Sequence, residues 1–97
     1  MSRADLIIYT DHLRLRMKLR KVPQELPKLI YLNAKERYWD IMTKHHIAVM
    51  ICEVHGKQTE MAVSYDDQQK IVELITIHPV RTSQKLSRVK TGRWRKT

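Results

Sequence analysis

Phenylalanine is absent from these 97 residues, and glycine (two), proline (three) and cysteine (one) are scarce. So little Gly and Pro argues against low-complexity disorder away from the ends. The aromatic bulk rests on four Tyr and two Trp. The single cysteine, Cys52, sits in an apolar run, so an intramolecular disulfide is excluded and a reducing compartment is the simplest expectation. Cys52 itself reads as a small buried hydrophobe. Long apolar runs are missing as well. The longest, Ile47 to Cys52, falls far short of a membrane span. Leu6, Ile7, Ile8 and Tyr9 are too few for the apolar segment of a signal peptide. The expected location is the cytoplasm, without membrane contact. There is no P-loop, nucleophile elbow, zinc-finger spacing or dinucleotide fingerprint. No cofactor is expected, and no metal, because the His45–His46 pair stands without a Cys or acidic cluster.

What is present is an ordinary apolar share, 42%, enough for one packed core in residues 1–97 and too little chain for a second. The net charge is +9, and it is unevenly placed. Residues 1–37 carry a balance of +5, residues 38–80 a balance of −3, and residues 81–97 seven basic side chains with no acidic one. If both ends fold to one side they form a continuous positive surface, which attracts a phosphate backbone through counterion release. RNA is the expected partner. The plainer reading is a basic, highly soluble protein with a solvated tail.

Residues 5–9 read as a short strand. Thr10 or Asp11 can cap a helix beginning near His12, since both side chains accept hydrogen bonds from free helical N–H groups. The alternation of Leu13, Leu15, Met17 and Leu19 with basic residues superficially fits a strand. The residues themselves are good helix formers with no β-branching, so a helix is expected, broken at Val22–Pro23. A second helix runs from Pro23, or from nearer Leu26, to about Asn33 or Ala34. A β-meander follows. Its strands are Glu36 to Ile41, Ile47 to Val54, Gln58 to Tyr65 and Lys70 to His78, with turns at His45–His46, His55–Gly56 and Asp66 to Gln69. The expected class is α+β: a helical half over about 10–34, a curved antiparallel sheet of about four strands over about 36–79 with the helices on one face, and a basic segment over 80–97.

His12 and Arg16 sit four residues apart, with Arg20 one turn further, so a helix aligns them along one side. His78 stands at the end of the last expected strand, before Pro79 and Arg81. Histidine both accepts and donates protons near neutral pH. RNA cleavage by its own 2′-hydroxyl needs a base, an acid and positive charge. His12, His78, Arg16 and Arg93 supply that set without metal, and Arg81 adds to the phosphate-holding charge. Arg20, Arg81, Lys85 and Arg88 extend the binding surface. Trp94, an indole among cations, either stacks on an unpaired base or docks on the sheet and pins the tail.

With these stretches in view, the chain resembles the small RelE- and BrnT-type ribonuclease toxins, and within them an uncharacterised toxin-like domain family. The likeness rests on Asp11–His12 with Arg16 and Arg20, on Thr76, Ile77, His78 and Pro79, and on Gly92, Arg93 and Trp94. It covers about Ile8 to Trp94. The resemblance implies a metal-independent endoribonuclease-like fold, catalytic roles for His12, Arg16, His78 and Arg93, and an acidic antitoxin protein as partner. Two other classes compete with this reading: a non-catalytic RNA- or DNA-binding domain, and a basic domain that meets an acidic protein.

Overall fold

The computed structural model describes residues 6–97; Asp5, the first residue of the expected N-terminal strand, lies outside them. The elements run β1 (Leu6–Tyr9), α1 (Asp11–Arg20), α2 (Leu26–Asn33), β2 (Glu36–Asp40), β3 (His45–Val54), β4 (Lys57–Gln68), β5 (Ile71–Pro79), α3 (Thr82–Lys90) and β6 (Trp94–Lys96). The class is α+β. Among the described residues the sheet has six strands rather than about four, and it is mixed rather than antiparallel. Its order is β1-β5-β4-β3-β2-β6. The meander β2–β5 is antiparallel, β6 joins β2 antiparallel, and β1 lies parallel to β5.

Local chemistry sets the two N-terminal helices. Thr10 caps α1, its Oγ1 accepting from the Leu13 N–H at 3.1 Å. Lys21 ends the helix in the left-handed region, with the amides of Lys21 and Val22 both donating to the Met17 carbonyl. Pro27 falls in the first turn of α2, where its missing N–H leaves no bond unmade. The apolar sides of both helices cover one face of the sheet. Leu13, Met17, Leu26, Ile30 and Ala34 pack there on Ala48, Met61, Val63, Tyr65, Val72, Leu74 and Ile77.

The second face carries its own cluster of Tyr38, Ile47, Val49, Ala62, Val80 and Trp94. Here the segment 80–97 departs from expectation. It leaves β5, forms α3, and returns to the opposite edge of the sheet as β6. Helix α3 buries no side chain fully, and its Leu86 and Val89 stay exposed. Polar contacts hold it instead: Lys85 Nζ reaches Glu60 at 2.6 Å and Glu36 at 2.9 Å, and Arg88 lies 5.1 Å above the Trp94 ring. Two turns also shift. His45 and His46 belong to β3, and β4 continues through Asp66–Gln68 so that the turn shrinks to Gln69 and Lys70. At the β3–β4 hairpin His55 and Gly56 both take positive φ (52° and 78°), the geometry that matches strand twist.

Asp40 latches β6 to the sheet. Its carboxylate, 2% exposed, accepts from Arg93 Nε and Nη2, from the Trp94 indole N–H at 3.1 Å, and from the backbone amides of Met42 and Thr43. Burial alone would raise its pKa. Arg93, the two amides and the indole overcome that and hold it down to about 2. An unfolded aspartate takes its proton near 3.9, so between these values the unfolded chain binds more protons and stability falls with falling pH. Asp40→Ala leaves Arg93 and the indole without their acceptor and is expected to cost about 3–5 kcal/mol. Urea melts at pH 7 should show a midpoint well below wild type. The Asp40→Asn protein should also lose part of the stability drop between about pH 4 and pH 2. A midpoint within error of wild type in both variants would refute the latch.

Candidate functional site

Among the described residues strand β1 pairs with Ile71–Leu74, and no strand of those residues pairs with the outer edge of β5 beyond Leu74, where α1 flanks it. Thr10 ties the start of α1 to that edge: its N–H donates to the Leu74 carbonyl at 3.1 Å and its Oγ1 to the Ile75 carbonyl at 3.4 Å. Arg20 ties the other end, Nη1 donating to the Ile77 carbonyl at 3.2 Å. These bonds occupy edge carbonyls that water or another strand would otherwise take.

The register of β5 decides which side chains meet α1. Val72 and Leu74 point to the helix-covered core, and strict alternation would send Thr76 and His78 the same way. Instead the pairing with β4 slips. Tyr65 faces Leu74 while Ser64 faces Thr76, leaving Ile75 as an extra residue. Beyond this bulge the faces are exchanged. Ile77 enters the core, and His78 pairs with Ala62 of the opposite cluster.

A cleft of about 210 Å³ results, lined by His12, Arg16 and Arg20 of α1 and by Thr76, Ile77 and His78 of β5. Two histidines and two arginines from segments more than fifty residues apart therefore border one cavity. Burial pushes the His78 pKa below its ordinary value of 6.5, and the charges of Arg88, Arg20 and Arg16 push it further in the same direction. Both effects favour the neutral form of the His78 imidazole. His12 is exposed in the first turn of α1.

The remaining expected site residues are distributed elsewhere. Arg88 is near enough to His78 to act on its charge. Arg81 is exposed at the N-cap of α3. Lys85 is engaged by Glu36 and Glu60. Arg93 is bound to Asp40 at the β6 side of the sheet. Strands β4, β3 and β2 separate that side from β5, roughly 19 Å at the usual strand spacing. Arg93 is therefore corrected from a cleft residue to a structural one. Trp94 is 2% exposed and stacked on Tyr38 at 5.3 Å, with no face open to a base, so of its two readings the docked one is found and the base-stacking one is not. Nothing in the one-dimensional neighbourhood of Thr76 gives it a chemical role; the bulge brings it into the cleft. A larger depression of about 350 Å³, bordered by Asn33, Lys35, Glu36, Val49, Met50, Ile51 and Glu60, gathers no histidine, and Lys85 already holds its two carboxylates. Among the described residues no group of three His, Cys, Asp or Glu is placed to hold a metal, and no helix is long and apolar enough to cross a membrane.

The charge coupling at His78 is directly measurable. Arg88→Gln removes one of the three positive charges acting on the imidazole, so the His78 midpoint followed by NMR should move up toward 6.5. An unchanged midpoint would show that the Arg88 charge does not reach it. The chain matches no family model, no curated protein and no solved structure, so what it does must be read from the cleft itself.

Proposed function

We propose that this protein is a metal-independent endoribonuclease that cleaves RNA by attack of the 2′-hydroxyl on the adjacent phosphate. The supporting observation is the convergence of His12, Arg16, Arg20 and His78 on one cleft. Its volume lies below the roughly 300–1,000 Å³ of pockets for drug-sized ligands. That suits a phosphodiester and its ribose, with the bases outside.

In this reading neutral His78 takes the proton of the 2′-hydroxyl as the 2′-oxygen bonds to phosphorus. The bond to the 5′-oxygen then breaks, and His12 gives that oxygen its proton. The products are a 2′,3′-cyclic phosphate and a free 5′-hydroxyl. Arg16 and Arg20 neutralise the charge that builds on the phosphoryl oxygens between these steps. Such an enzyme is of the toxin type that the sequence resembles. An acidic antitoxin covering α1 and the β5 edge would neutralise it by complementary charge.

Incubation of purified protein with end-labelled RNA in EDTA tests the proposal. Wild type should cleave and leave 2′,3′-cyclic phosphate ends, and a 2′-deoxy residue at the cleaved position should block the reaction. His78→Ala and His12→Ala should each cut more slowly by about 10²–10⁴-fold, with RNA binding retained. RNA bound by wild type without cleavage, its affinity falling steeply with salt, would replace the enzyme with a binding module. Cleavage abolished by EDTA would refute metal independence.

A further inference from the structure

The cleft holds a second kind of polar group, whose direction burial determines. Thr76 and Ser64 are cross-strand partners at the β5 bulge, and their hydroxyl oxygens lie 2.5 Å apart, with one proton between them. Ser64 is buried, 6% exposed, whereas Thr76 is half-buried and lines the cleft. Among the described residues Thr76 is the one hydrogen-bond partner of the Ser64 hydroxyl. Were Thr76 to donate, the proton of Ser64 would be left in a buried site without an acceptor, which is unfavourable. With Ser64 donating, every buried group is satisfied, and the proton of Thr76, a residue bordering the cleft, is left free to donate to another acceptor.

We infer that Thr76 is a further substrate-contacting residue, its hydroxyl oriented by Ser64 to donate a hydrogen bond to a phosphoryl oxygen held between Arg16, Arg20 and His78. The inference rests on the cleft being a phosphate site and deepens the ribonuclease reading. The two guanidiniums attract any anion, while a fixed hydroxyl donor adds direction. It selects an oxygen acceptor at one position and holds the phosphodiester still relative to the His78 nitrogen. Ser64 does not reach the substrate and is a positioning residue. The bulge is what makes the pair: with regular alternation Thr76 would face the core on the other side of the sheet.

Four variants test this: Thr76→Val, which keeps shape and removes the donor; Thr76→Ser, which keeps the donor; Ser64→Ala; and the double variant Ser64→Ala/Thr76→Val, which leaves no buried hydroxyl unpaired and guards against a folding defect. Two readouts apply, RNA cleavage kinetics and inorganic phosphate binding followed by the His78 ring resonances. Thr76→Val and the double variant should lose about 10²–10³-fold in kcat with KM little changed, and phosphate should bind at least about 10-fold more weakly. Thr76→Ser should restore both. Ser64→Ala should fall between, because the unanchored Thr76 hydroxyl can rotate. Wild-type behaviour of Thr76→Val in both readouts overturns the inference. So does a Thr76→Ser protein as impaired as the valine variant, since bulk rather than the donor would then matter. Phosphate that leaves His78 unperturbed in wild type also overturns it. If wild type fails to cleave RNA yet binds phosphate in a Thr76-dependent way, the oriented donor stands and the ribonuclease reading alone falls.

Discussion

The extra residue in β5 at Ile75 is the constraint on which the cleft depends. A strand that alternated without interruption would carry Thr76 and His78 into the helix-covered core and turn Ile77 outward. With the slip between Ser64 and Tyr65, β5 changes which of its residues face the helix-covered core. Val72, Leu74 and Ile77 face it, while Thr76 and His78 pair with Ser64 and Ala62 on the other face. Such an irregularity persists only where neighbours fix it. Thr10 does so with one side chain and one amide, bonding the carbonyls on either side of the bulge's start and capping α1 at the same time. The start of the helix bearing His12 and the bulge that turns His78 away from the helix-covered core are thus set by the same residue.

The positive charge is distributed more selectively than the composition suggests. Of the C-terminal cations, Lys85 and Arg93 are engaged by buried or half-buried carboxylates and serve to hold α3 and β6 in place. Arg88 lies over Trp94 and acts on His78 through space. Of the cations of α1, Arg16 and Arg20 line the cleft. Carboxylates within or beside the acidic middle of the chain therefore act structurally, Asp40, Glu36 and Glu60 fastening the basic tail across the sheet. Desolvation of those partners limits what each pair contributes to stability, yet together they give the tail one position, from which the Arg88 charge bears on His78.

Sequence reasoning reached a good part of this. Thr10 as a cap, the break at Val22–Pro23, the late start of α2 and the His55–Gly56 hairpin all follow from rules that operate within a few residues, and each is found. The alignment of His12, Arg16 and Arg20 followed from helical periodicity in the same way. Missing from the sequence reading were α3 and β6, one without a buried side chain and the other three residues long. In α3 only Leu86 and Val89 stand at helical spacing among polar and basic residues, and three residues are too few to show a strand's period.

The chain itself determined where cations cluster, which N-terminal segments are helical, and that His12 would stand beside Arg16, because these properties depend on neighbours within one or two turns. Only the tertiary structure decided that His78 shares a cleft with His12, that Thr76 rests on Ser64, and that Arg93 and Trp94 serve Asp40. Each of these depends on strand register and on which edge is left unpaired. Register is set by contacts between distant segments, where a slip of one residue exchanges the two faces of a strand.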